Sequence, residues 1–186
     1  MDTSELQNFF DCCLGHWEIE RTYHYLTRQE VERSHTQFQV KPLTSELQTK
    51  VLVDNQYDIS DQGVKLSGFQ LYFHTVSEKG EEVAQSLNAL FVPQKKEGGI
   101  LEGDYLRDRA YEEARPIVSH FRFDPTVSEL LMTTPYTQVV SVDSITLVNP
   151  NLRIRKIINY DRPSEGQPLK TVRLVGFGVE QKVSSP

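Results

Sequence analysis

Near the start of the chain, apolar positions recur at helical spacing: Leu6, Phe9, Phe10, Cys13 and Leu14 form one stripe. Ser4 followed by Gln7 fits a capping box, in which hydroxyl and amide satisfy orphan N–H groups of the first turn. Gly15 suits the C-cap, because glycine accepts a positive φ without steric cost. The pattern predicts a helix over residues 4–14 whose stripe closes one end of a core. After Gly15 the period falls to two, the signature of a half-buried strand. Trp17, Ile19, Arg21, Tyr23 and Tyr25 share one parity, and Glu18, Glu20, Thr22 and His24 share the other. Further strands are expected near 35–41, 49–54, 64–74, 83–93, 99–106, 117–124, 127–134, 138–148, 151–161 and 169–181. The segments between them carry turn chemistry: Asp61-Gln62-Gly63, Glu78-Lys79-Gly80, Glu97-Gly98-Gly99, Asp124-Pro125, Asn149-Pro150 and Pro163-Ser164-Glu165-Gly166.

About ten short strands joined by hairpin turns, with no recurrent helices between them, predict an all-β antiparallel fold. An up-and-down barrel suits the pattern better than a sandwich. Closure removes the edges, and eight to ten strands leave an interior able to hold one small ligand. Residues 108–115, reading DRAYEEAR, are the other helix-like stretch and are expected as a short helical turn over the barrel rim. Neither repeats, low-complexity tracts nor a linker interrupt the chain, and its 186 residues are expected to form one domain over 1–186.

Composition narrows the chemistry. Acidic residues outnumber basic ones by 26 to 20, a net charge of -6, which argues against general nucleic-acid binding through a basic surface. Apolar runs are too short to span a bilayer as helices, and the N-terminus places acids where a secretory signal needs positive charge. A soluble intracellular protein is therefore expected. Cys12 and Cys13 are adjacent rather than spaced as a redox or metal motif, and are expected to be reduced thiols. The sequence holds no GxSxG elbow, no Walker A loop and no HExxH, and His16, His24, His35, His74 and His120 are not spaced as a zinc set; no metal site is expected. Gly176-Phe177-Gly178 starts like a dinucleotide fingerprint but lacks its third glycine. Glu81-Glu82 and Glu112-Glu113 read as solvated surface.

Two constellations remain. Arg21 shares its face with Trp17, Ile19 and Tyr23, and a guanidinium on such a face needs an anion because it cannot deprotonate. Either a ligand carboxylate or a protein carboxylate satisfies that need. His24 has the opposite parity, so its default is a surface histidine unless a β-bulge near Thr22 turns it inward. The second constellation is Asn149-Pro150-Asn151, a turn, followed by Arg153 and Arg155 on one face and Leu152 and Ile154 on the other. Alternation leaves open whether the arginines point in, as a bidentate carboxylate clamp, or out as a basic stripe.

Together these stretches resemble the CpcS/CpeS-type phycobiliprotein lyases. Trp17-Glu18-Ile19-Glu20-Arg21-Thr22-Tyr23-His24, following Phe9-Phe10, is similar to that family's W-x-x-x-R-T-x-H segment, and residues 150–155 match its P-N-L-R-[LI]-R. Leu90-Phe91-Val92-Pro93 and Leu106-Arg107-Asp108-Arg109-Ala110-Tyr111 resemble its V-L-V-P and L-R-x-x-G-Y segments. The matches keep their order over roughly residues 5 to 180. The resemblance implies a ten-stranded lipocalin or fatty-acid-binding type of barrel with an N-terminal helix. It implies binding of an open-chain tetrapyrrole (bilin), phycocyanobilin or phycoerythrobilin, as a transferred ligand rather than a tightly bound cofactor. The bilin would be attached as a thioether to a cysteine of an apo-phycobiliprotein subunit, in cyanobacterial cytoplasm or algal plastid stroma. Arg21 with Arg153 or Arg155 would clamp the propionates, Trp17 and Tyr23 would lie against the bilin, and His24 and Asp143 would be the nearby acids. Where the family commonly reads E-E-R-I-W-F-A-S, this chain has Val142-Asp143-Ser144-Ile145-Thr146-Leu147-Val148-Asn149, keeping only Asp143 of the acids. That departure opens the alternative of a non-catalytic partner beside a paralogous subunit; a homodimer is a further arrangement. A carrier of another apolar carboxylate is the alternative outside the family.

Because the acceptor thiol belongs to the client protein, replacing Cys12 and Cys13 with Ser is expected to leave bilin transfer largely intact, at some cost in stability from Cys13 in the helix stripe. Chromophore absorbance on the client after incubation with the variant measures this. Loss of transfer with an unchanged fold would make one of these cysteines a participant.

Overall fold

A computed structural model describes residues 2–58, 66–108 and 117–184. The turn expected at Asp61-Gln62-Gly63, most of the helical turn expected over 108–115, Glu112-Glu113 and the Arg109-Ala110-Tyr111 part of the family-like segment lie outside them. Ten antiparallel strands close into the expected barrel: β1 Gly15–Tyr25, β2 Glu30–Pro42, β3 Ser67–Ser77, β4 Glu82–Glu97, β5 Ile100–Arg107, β6 Ser119–Asp124, β7 Glu129–Pro135, β8 Val139–Asn149, β9 Leu152–Asp161 and β10 Val172–Val183. Each strand pairs with its neighbour in sequence, and β1 also pairs with β10, Arg21 opposite Gly178 and Tyr23 opposite Gly176. No sheet edge is left open.

Helix α1 spans Ser4–Cys13 and buries Leu6, Phe9, Phe10 and Cys13, as the stripe predicts. Its ends differ from the expected caps. Thr3 is the N-cap and makes no side-chain bond; Asp2 Oδ1 accepts the Ser4 N–H at 3.0 Å, and the Gln7 amide donates to Asp11 at 2.8 Å instead of reaching back. Leu14 is already extended, and Gly15, at φ +120°, makes the corner at which the helix turns into β1. Two groups from the barrel finish the helix C-terminus: Trp17 Nε1 and Lys182 Nζ each donate at 2.8 Å, to the carbonyls of Cys13 and Cys12. A cation there also complements the negative end of the helix dipole.

The strand expected at 49–54 is instead the second half of a helix, α2, Ser45–Asp54. The run Val51-Leu52-Val53 has the composition of a strand, yet Val53 is 69% exposed, and only Val51 is fully buried. A signal for the helix does exist. The pentapeptide Thr-Ser-Glu-Leu-Gln occupies residues 3–7 and again 44–48, and it begins both helices. At the second copy the Thr44 hydroxyl accepts from Leu47 N–H, an ordinary N-cap. α2 covers the outside of β4 and β5, where Leu43, Val51, Leu90, Val92 and Leu106 form a second core. The wall is thus apolar on both faces at Ala89–Val92, which explains the unbroken apolar run there.

The main core is the barrel floor. Phe10 lies 4.8 Å from Phe91 and 5.7 Å from Phe69 between ring centroids, and Phe9 lies 5.3 Å from Phe123. Beside the rings sits a buried ion pair. Arg153 Nε donates to Glu180 Oε2 at 2.7 Å, and the guanidinium is stacked 4.2 Å from the Trp17 ring centroid and 5.3 Å from Phe38. Stacking satisfies the faces of the guanidinium while the carboxylate satisfies its edge.

Phe10→Ala is expected to cost about 3–5 kcal/mol of stability by leaving a cavity under α1, read from urea unfolding. Glu180→Ala is expected to cost a similar amount, about 3–5 kcal/mol, because it strands a buried guanidinium, whereas Arg153→Met with Glu180→Leu recovers most of the loss.

Candidate functional site

Above the aromatic floor the barrel encloses a cavity of about 420 Å³, in the range of small-molecule sites. Its wall is built from inward positions of alternate residues: Arg21, Tyr23 and Tyr25 of β1, Phe69, Leu71 and Phe73 of β3, Tyr105 and Arg107 of β5, Asp143 and Ile145 of β8, and Arg155 and Ile157 of β9. Glu81 and the exposed Val83 stand at its solvent edge. α1 blocks the other end. Among the described residues no group of three or more His, Cys, Asp or Glu side chains is placed to hold a metal.

Arg21 faces inward as its apolar neighbours predict. Its terminal nitrogens lie 3.5 Å from the Tyr23 hydroxyl and 4.0 Å from Glu180, and its Nε is buried with no hydrogen-bond partner among the described residues. Arg21 thus has a protein carboxylate at long range and also reaches the cavity. Tyr23 also lines the cavity. Its ring lies over Gly176, where a Cβ would come within 2.6 Å of the ring, and Gly178 leaves room in the same way for Ile19. The Gly-Phe-Gly of β10 is thus a thinning of the wall that lets β1 side chains fold inward.

Arg153 and Arg155 both point inward, and Leu152 and Ile154 point out, Ile154 being 43% exposed. Their fates differ. Arg153 is sequestered by Glu180 and Trp17 and reaches only a small crevice of about 30 Å³ beneath the cavity. Arg155 lines the cavity and grips both oxygens of Asp143, Nε donating to Oδ1 at 3.1 Å and a terminal nitrogen to Oδ2. Burial disfavours its charge, but the Asp143 and Glu180 carboxylates outweigh that and hold its pKa above the ordinary arginine value. Asp143 sits on the cavity wall as the sequence reading requires.

Two expected neighbours of the ligand are elsewhere. His24 is exposed on the outside of the barrel, because β1 pairs with β2 and β10 in unbroken register and no bulge turns it inward. Trp17 is fully buried, but in the floor beneath α1, stacked on Phe38 at 6.4 Å and away from the cavity lining.

Three residues at or beside the cavity carry no role in the reading of the sequence. Glu180 is fully buried, and its strand carries Val175, Phe177, Val179 and Val183 on the opposite parity against Val172 and Leu174 on its own, which points the pattern the wrong way. Arg107 is 8% exposed, and one of its terminal nitrogens donates to the Tyr136 hydroxyl at 3.0 Å. It shares its parity with Leu101, Gly103 and Tyr105, the kind of signal that singled out Arg21. Tyr136 follows β7 and lines the cavity beside it. Burial raises the pKa of the Tyr105 phenol, so at neutral pH it is an uncharged part of the wall.

A barrel blocked at one end, with an aromatic wall and inward arginines, suits an elongated apolar molecule bearing carboxylates. The model of the CpeS-like protein family matches residues 5–183. The chain is 60% identical over 181 residues to chromophore lyase CpcS/CpeS 1 of Synechococcus sp. (strain JA-3-3Ab), covering 97% of each. It is 26% identical over 154 residues to chromophore lyase CpcS/CpeS of Thermosynechococcus vestitus (strain NIES-2133 / IAM M-273 / BP-1), covering 83% of each. Among solved structures, the S-type phycobiliprotein lyase CPES from Guillardia theta has the same fold, with a TM-score of 0.72 at 17% identity over 97% of this chain and 94% of that one. With the family model spanning nearly every residue of the barrel, the chain belongs to the CpeS-like family.

Proposed function

We propose that the cavity is where this chromophore lyase holds an open-chain tetrapyrrole before delivering it to a cysteine of an apo-phycobiliprotein subunit. The observation that carries the reading is an aromatic cavity with guanidinium groups on its wall. A bilin has a long conjugated body, two propionates and pyrrole N–H groups. Phe69, Leu71, Phe73 and Tyr23 supply apolar surface for the body, and Arg21 supplies a charged fork for a propionate. Asp143, with both oxygens held by Arg155, presents hydrogen-bond acceptors to the cavity. Its part is to accept a pyrrole N–H and stabilise the protonated, cationic bilin rather than to donate a proton.

The reaction needs no nucleophile from this chain. The client thiolate adds to an exocyclic C=C carbon of the bilin, a C–S bond replaces the π bond, and a proton ends on the neighbouring bilin carbon. The barrel contributes orientation and exclusion of water, and its mouth, opposite α1, is where the client approaches. Arg153 is a structural residue in this scheme, and His24 belongs to the outer surface. The setting is the compartment that holds phycobiliproteins, cyanobacterial cytoplasm or algal plastid stroma.

Mixing the purified protein with phycocyanobilin is expected to give a structured red absorption band, and Arg21→Ala is expected to weaken binding about ten- to a hundredfold with an unchanged far-UV spectrum. Arg21→Lys restores binding only in part, lacking the planar fork. Tight binding by Arg21→Ala would misplace the clamp, and displacement of fatty acid without any bilin band would favour a carrier. Adding apo-phycobiliprotein with and without a paralogous subunit then separates independent transfer from a heteromeric or homodimeric lyase.

A further inference from the structure

Four arginines project into the barrel, Arg21, Arg107, Arg153 and Arg155, with three buried or half-buried carboxylates, Glu180, Asp143 and Glu32, the last paired with none of the four among the described residues. Glu180 is committed to Arg153, and Asp143 to Arg155, both by direct hydrogen bonds. Two positive charges are left without a close counter-ion among the described residues. One is Arg21, 4.0 Å from Glu180. The other is Arg107.

Arg107 has a more extreme environment than Arg21. It is about nine-tenths buried, with its guanidinium carbon 5.5 Å from the Tyr105 ring centroid and 5.7 Å from that of Tyr136. Of its five N–H groups one is used, by the Tyr136 hydroxyl, and its Nε has no partner among the described residues. A guanidinium cannot lose its proton, so this desolvation is unfavourable until an anion arrives. The strand order places β1 and β5 four steps apart in a ring of ten, so Arg21 and Arg107 stand nearly opposite one another across the cavity.

We propose that Arg107 is the second carboxylate anchor of the site, so that a ligand bearing two carboxylates is held between Arg21 and Arg107 while Arg153 and Arg155 remain paired within the protein. This rests on the bilin reading above and deepens it: two arginines lack a hydrogen-bonded carboxylate, and a bilin brings two propionates. It also makes the site select for dicarboxylates. A ligand with one carboxylate leaves one buried cation unanswered.

The test compares phycocyanobilin with its dimethyl ester, in which both propionates are capped, by absorption titration. The parent is expected to bind the free diacid more tightly than the ester. Arg107→Met, which keeps the apolar stem between the two tyrosines, is expected to weaken the diacid about ten- to a hundredfold while leaving ester affinity within a few-fold. Arg107→Lys is expected to retain part of the diacid preference and serves where the Met variant fails to fold. Equal losses for diacid and ester would make Arg107 merely structural and overturn the proposal. So would an unchanged diacid affinity in a parent background that binds both ligands. A parent that binds neither would overturn the bilin reading itself, and this inference with it.

Discussion

A guanidinium inside a barrel wall keeps its charge, so something must answer it: a carboxylate of the protein, or a carboxylate of what the barrel holds. The first answer occurs twice in this structure. Glu180 takes Arg153 into the floor, stacked on Trp17, and Asp143 takes Arg155 on the wall. Arg21 and Arg107 are left facing the cavity with weak or no compensation among the described residues. Floor and cavity thus share one charge balance.

That balance depends on geometry supplied by apolar packing. α1 seals one end with Phe9 and Phe10 against Phe69, Phe91 and Phe123, which keeps water from reaching Arg153 and Glu180 from below. Low dielectric strengthens the pairs already made and raises the cost of those not made. Closure of β1 against β10 matters equally, because it brings Glu180 beside Arg21 and Gly176 beneath Tyr23. α2 stiffens the far wall from outside, behind the β5 strand that carries Arg107.

A lyase whose client supplies the nucleophile has little covalent work of its own. What it must do is hold a conjugated, flexible ligand in one orientation and keep it from water. The cavity has charged groups at fixed points and aromatic surface between them. The two cysteines lie at the end of α1, away from the mouth, Cys13 buried with its thiol pKa raised by desolvation, which leaves it unreactive.

The strands and α1 were legible in the chain because their signals are local: a period of two or of 3.6, broken by turn residues. Arg21 was legible for the same reason, with Trp17, Ile19 and Tyr23 declaring its face. Arg107 carried that signal as well, with Leu101 and Tyr105 on its parity. The facing of β9 and β10 was not legible. Leu152, Ile154, Val175, Phe177 and Val179 are apolar and point outward, while Arg153, Arg155 and Glu180 point in. Alternation says which residues share a face but not which face is inside; that depends on pairing with strands far away in the chain. The same distance hid the partners of each arginine, since Arg153 and Glu180 are 27 residues apart. α2 was hidden by a β-branched run whose role is to cover a wall already apolar on both sides. Local pattern determined most of the elements and the face that Arg21 shares; closure of the barrel decided which arginines meet a protein carboxylate and which face the cavity without one close by.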